Sequence, residues 1–237
     1  MTSTAMPIPA AMPIPTADDA MIPDLYGPAH DAMRFALADV LAVVALHDET
    51  HRGAIAARWS AVARLVDSHA RAEAATLLPL IAIAAPRIAA ELGATHAALA
   101  EAAEAIGESL AALAGASTHD RQRTFRATLV LVRHFVGDCL IHLGNEQDRA
   151  RPALVDHFPP ATLFAARRAL LARLDATEAC TNLAVIAAGV DRDGACALLR
   201  LAALRDGDGF ALEAERILSA AIDAAVPMET GAGRLAA

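Results

Sequence analysis

His69-Ala-Arg-Ala-Glu73 followed by Pro79, and His142-Leu-Gly-Asn-Glu146 followed by Pro152, are two copies of one pattern, His-x3-Glu-x5-Pro. With nine His and 12 Pro among 237 residues, composition alone predicts roughly 0.02 such patterns in the chain. Two copies therefore call for a physical reason. On a helix, residues i and i+4 lie one above the other on the same face, with side chains leaning the same way. Each copy then offers one imidazole and one carboxylate to a single point in space. Two such helices facing each other supply two nitrogens and two carboxylates, and carboxylates can bridge two metal ions where imidazoles cannot.

The surrounding sequence supplies the helices. The chain holds 62 alanines, is 56% hydrophobic and only 3% aromatic, a composition of Ala/Leu-rich helices and not of a β-sandwich or barrel. The formal charge is -8, and all 20 positive charges are arginine. With a pI near 5.5, this disfavours nucleic acid or an anionic membrane surface as partner. Cys139, Cys180 and Cys196 have no CxxC spacing and indicate neither a disulfide framework nor a cysteine zinc site. The longest uncharged run beyond the N-terminus, Ala74 to Pro86, is too short to span a bilayer, so no membrane and a cytoplasmic location are expected.

Residues 1–23 carry a repeat of their own, Ala-Met-Pro-Ile-Pro twice over, and read as a Pro-rich flexible tail. A first helix is expected from Pro28 to the turn at His47, with Met33, Leu37, Val40, Leu41 and Val44 on one stripe. A second runs from Gly53 to Ala84, with Pro79 as a kink. The third covers Arg87 to Ala114, with Gly93 as a candidate break, and the fourth covers His119 to Ala150, capped by Ser117 or Thr118 and ended by Pro152. Beyond a boundary at Asp156-His-Phe-Pro-Pro, helical stretches follow over Ala161 to Ala188, Arg192 to Leu204 and Phe210 to Ala225. The expected fold is all-α: an up-down-up-down four-helix bundle over 24–155, a C-terminal helical extension over 156–228 and a frayed tail over 229–237.

In such a bundle the remaining nitrogens come from the other two helices, His30 on the first and His96 on the third. Four histidines and two glutamates then form a dinuclear metal site, each metal taking two imidazoles and two bridging carboxylates. One oxo or hydroxo bridge brings the count to five and leaves a sixth position for a small ligand. This donor set suits iron first and manganese second, whereas zinc more often settles for four ligands. Asp138, one turn before His142, is a candidate partner fixing that imidazole, and Tyr26, four residues before His30, reaches the site if the first helix starts early.

The order of lone His, HxxxE, lone His, HxxxE on successive helices resembles the hemerythrin-like (HHE cation-binding) family over Asp24 to Pro152. The resemblance implies a non-haem di-iron centre ligated by His30, His69, Glu73, His96, His142 and Glu146. It also implies reactivity toward O2, peroxide or nitric oxide; His30 and His96 rest on this family order more than on spacing. Oxygen-carrying members have a further histidine four residues from the lone one on the third helix, where this chain has Leu92 and Ala100. They also have an aspartate five residues after the last histidine, where this chain has Gln147. These departures weaken the case for reversible oxygen carriage and leave oxidant handling or sensing open. The alternatives are an iron-handling or storage protein with the same ligands, and a metal-free helical interaction module. No catalytic residue is indicated, and the C-terminal helices offer a surface for a protein partner. The exposed-face reading applies to Glu101, Glu104 and Glu108, and a buried, inert thiol to Cys139.

Overall fold

The computed structural model describes residues 22–46, 49–173, 176–187, 192–203 and 210–225. Apart from Ile22 and Pro23, the expected tails lie outside these residues. Among the described residues the chain is all-helical, with no strand: α1 Gly27–Leu46, a 3-10 turn Glu49–His51, α2 Arg52–Ala84, α3 Pro86–Gly115 and α4 Thr118–Asn145 come first. A π turn Glu146–Ala150, α5 Arg151–His157, α6 Pro160–Ala172, α7 Ala176–Ala187, α8 Arg192–Ala202 and α9 Phe210–Ala225 complete it.

Local chemistry fixes the ends. Asp24 caps α1, its Oδ1 accepting from the N–H groups of Tyr26 and Gly27 at 3.2 and 2.9 Å. A Cβ at position 27 would meet the Asp24 carboxylate and displace it from this cap. Ser117 is the N-cap of α4, its Oγ accepting from Asp120 N–H at 3.2 Å and donating to Asp120 Oδ2 at 2.7 Å, a cap of a kind worth about 1 kcal/mol. Pro86 opens α3 one residue after α2 ends, where its missing N–H costs nothing.

Two of the expected breaks do not occur. Gly93 sits inside an unbroken α3, and a Cβ there would make only an ordinary 3.6 Å contact with Leu78; the penalty of about 1 kcal/mol for a helical glycine is outweighed by the packing of α3 on α2. Pro152 does not end the fourth helix. The backbone widens into the π turn just before it, and α5 continues to His157, which relieves the clash a proline ring makes with the carbonyl four residues back. The stretch expected over Ala161 to Ala188 is two helices, because α6 buries Leu163 and Ala166 in one apolar cluster and α7 buries Ala179, Leu183 and Ile186 in another.

Helix α1 packs on α2 and α4, α2 on α3, and α3 on α4, while α6 and α7 lie on α2 and α7 and α8 on α1. Two cores result. The larger joins α1–α4 to α7–α9 and includes Trp59 stacked edge-on against Phe135 at 4.9 Å; the smaller gathers Leu25, Tyr26, Leu77, Ile81, Leu92 and Leu154 at the other end. On α1, α2 and α3 and in the π turn after α4 a metal-ligand candidate falls between the two: His30 between Tyr26 and Ala32, Glu73 between Val66 and Leu77, His96 between Leu92 and Leu99, and Glu146 between Leu143 and Ala150. A polar layer thus divides the apolar interior.

The helix His119–His157 contains a stretch of mean hydropathy 1.3, long and apolar enough to cross a membrane by length and composition alone. The uncharged-run reading passes over it because Arg133 and Asp138 interrupt it. In the fold this helix carries Val132, Phe135, Val136, Cys139 and Leu143 in the larger core.

Candidate metal centre

The six residues singled out by spacing and order meet. His30 and His142 are buried, as are Glu73 and Glu146, while His69 and His96 have side chains 11% exposed. His30, His69, Glu73 and Glu146 form one group of four donors, and Glu73, His96, His142 and Glu146 form another, with the donor atoms of each within 4.8 Å of one another. Both carboxylates belong to both groups. Glu146 turns Oε2 to His30 Nε2 at 3.2 Å and His69 Nε2 at 3.6 Å, and Oε1 to His142 Nε2 at 2.9 Å and His96 Nε2 at 3.6 Å. Glu73 Oε2 stands 3.5 Å from both His69 Nε2 and His96 Nε2.

These are close approaches without hydrogen bonds. Both ring nitrogens of His30 and His142, Nε2 of His69 and His96, Oε1 of Glu73 and both oxygens of Glu146 are buried without a hydrogen-bond partner. Buried polar groups in that condition are costly. Two donors each about 2.1 Å from a common ion, at angles near 90–110°, stand about 3.0–3.5 Å apart, close to the 2.9–3.6 Å between the imidazole nitrogens and the carboxylate oxygens here. The imidazoles of each group stand nearly perpendicular, His30 to His69 at 75° and His96 to His142 at 72°, as nitrogens aimed at one point from two helices do. The residues fit a metal ion in each group.

The electrostatics agree. Burial pushes the Glu73 carboxyl well above the usual carboxylate range, reinforced by the neighbouring Glu146 and opposed by His69. Burial would raise Glu146 as well, but His142, His30, His69 and His96 around it hold it far below that range. Burial lowers the His30 imidazole; for His69 the two glutamates overcome burial and raise it. Among the described residues no arginine forms an ion pair with either glutamate. A cation at each group would supply the charge these carboxylates lack.

The π turn is what spacing did not foresee, although Pro152 six residues after Glu146 marks its place. Gln147 within it accepts from Arg34 of α1, tying the turn to the helix that carries His30. Asp138 does not fill the role expected of it: it is exposed and makes no hydrogen bond to His142, whose Nδ1 has no partner. At about 100° per residue, His142 lies at the edge of the buried arc of α4, and Asp138 falls about 40° further out. Cys139, on the buried side, has its thiol pushed up to about 12 by burial and by Asp138, so it stays protonated and inert. Glu101, Glu104 and Glu108 are exposed, as are His51, His119, His134 and His157.

Tyr26 does reach the site. Its ring centroid lies 4.9 Å from that of His30, its carbonyl accepts from His30 N–H at 2.9 Å, and its hydroxyl is buried with no partner. Burial, then Glu73 and Glu146, raise that phenol well above its usual value. Tyr26→Phe is expected to leave metal content unchanged and to stabilise the fold by about 1 kcal/mol, since an unsatisfied buried hydroxyl is removed; denaturant unfolding checks it, and a loss of stability would mean that the hydroxyl has a partner in the loaded protein.

A cavity of ≈ 40 Å³ touches His69, His96 and His142 and is otherwise walled by Asp67 and by apolar groups such as Met33, Leu99 and Cys139. A water needs about 10–15 Å³ by this measure, so the space admits a diatomic molecule or peroxide. No protein-family model, curated protein or solved structure matches the chain. Fold and site by themselves define its class: an all-helical protein whose buried His/Glu groups can hold metal.

Proposed function

We propose that the chain is a hemerythrin-like, non-haem dinuclear iron protein that binds or reacts with O2, peroxide or nitric oxide, with manganese as the second choice of metal. One observation carries this reading: two groups of two imidazoles each, sharing the same two carboxylates. His30 and His69 would hold one ion and His96 and His142 the other, with Glu73 and Glu146 between them. An up-down-up-down bundle of α1–α4 is supported by the order of the cores. Along α1 and α3 the chain passes from the smaller core through the polar layer to the larger, and along α2 and α4 it passes the other way.

When bound, a pair of redox-active ions supplies electrons and open positions for a small oxidant. The protein's own part is to hold six donors in place, to balance positive charge with two carboxylates, and to keep water scarce. The mainly apolar cavity beside His69, His96 and His142, with Asp67 on its wall, has room for small uncharged molecules. Metal analysis with visible spectroscopy of the aerobically purified protein tests the reading. Two irons per chain, and a charge-transfer absorption that bleaches on reduction and returns with oxygen or peroxide, are expected; no metal, or one zinc without visible absorption, overturns it.

A further inference from the structure

A second cavity, of ≈ 150 Å³ and partly open to its surroundings, lies between the C-terminal helices and the α1–α2 face. Its roof is Leu170 of α6, Leu183 and Ile186 of α7 and Leu198 of α8, and Met33 and His69 border both this cavity and the small one. Apolar cavities of about 150 Å³ take up a single aromatic ring.

Beside His69, one hydrogen-bonded polar pair interrupts the otherwise apolar wall. Asn182 of α7 donates its Nδ2 to Ser68 Oγ of α2 at 2.8 Å, and both residues are buried, Ser68 to 1% and Asn182 to 7% exposure. That bond uses Ser68 as acceptor only. Both residues line the cavity, so the Ser68 hydroxyl and the Asn182 side-chain carbonyl are polar groups on its wall. A single hydroxyl in the cavity can accept from the Ser68 O–H and donate to the Asn182 side-chain carbonyl, an advantage over a bare ring. Among the described residues no arginine lines the space, so a carboxylate entering it would lose its hydration without a guanidinium partner.

We propose that this cavity is a binding site for a small, uncharged, monohydroxylated single-ring molecule, a phenol or a compound of that size and polarity. The hydroxyl sits at Ser68 and Asn182 and the ring among the leucines of the roof. The site rests on that pair and the cavity, not on the metal, and it gives the C-terminal helices a ligand to close over. Because His69 borders it, the occupant would touch the imidazole.

Calorimetric titration of the full chain as purified, with phenol, benzene and benzoate as probes, tests this. Phenol is expected to bind saturably, one per chain, with benzene about tenfold weaker for want of the hydrogen bonds and benzoate not binding. Ser68→Ala is expected to reduce phenol to the benzene level while leaving benzene unchanged, and Ala179→Phe, whose ring would fill the cavity, to abolish binding of both. Absence of saturable phenol binding, undiminished binding in a folded Ala179→Phe variant, or benzoate binding as well as phenol would overturn the proposal. Should Ala179→Phe not fold, the selectivity lost or kept in Ser68→Ala decides alone. Metal content of the same samples is read separately, so this site can fail while the metal reading stands.

Discussion

Glu146→Ala is expected to empty both metal positions at once. Glu146 alone among the six approaches all four imidazoles, through Oε2 on one side and Oε1 on the other. Its removal takes one donor and part of the compensating charge from each group. Loss of an outer partner typically weakens metal binding about 10–100-fold; loss of a shared donor is expected to do more, leaving less than one metal per chain after dialysis. His30→Ala touches only the first group and should retain metal in the second. Glu104→Ala, on the exposed side of α3, should retain both. Elemental analysis of the three variants checks the assignment, and equal metal content in all of them would refute it.

Much of this was legible because the signal is local. Two pairs at i, i+4 with the same trailing proline mark both the helices and the face they bury, and spacing survives folding unchanged. His30 and His96 were less secure, since a lone histidine has no internal partner. They entered by order along the chain, and the structure brings both to the cluster. Asp138 failed for the opposite reason: i, i−4 spacing was read as a shared face, whereas the buried arc of α4 is centred on Phe135 and Cys139 and leaves position 138 outside.

The misplaced breaks share a cause. Gly93 and Pro152 are helix breakers by local propensity, and tertiary packing or a change of helix type overrides each. The pairing of Ser68 with Asn182, 114 residues apart, had no local signal at all. Serine next to His69 and asparagine in an Ala-rich helix come together only once α7 lies across α2.

Removal of the metals is expected to destabilise the protein, and Glu73→Gln to reverse part of that loss. Binding to the folded state alone adds RT ln(1 + [L]/Kd), about 4 kcal/mol per site when free metal is 1,000-fold above Kd, so chelation should lower the melting temperature markedly. The metal-free chain then carries a buried carboxyl at Glu73 whose pKa is raised by burial and by Glu146. A raised folded-state pKa means that the carboxyl favours the folded chain at low pH. That advantage is lost as pH rises from the ordinary carboxyl range through the raised value. Metal-free Glu73→Gln, which cannot ionise, should therefore be more stable than metal-free wild type near pH 7, with the difference shrinking as pH falls toward that range. In the presence of excess metal the order should invert, because wild type keeps two shared carboxylates and the variant only one. Denaturant unfolding of both proteins across pH, with and without metal, reads the four curves. A metal-free wild type more stable than the variant at neutral pH would show that Glu73 finds its partner without an ion.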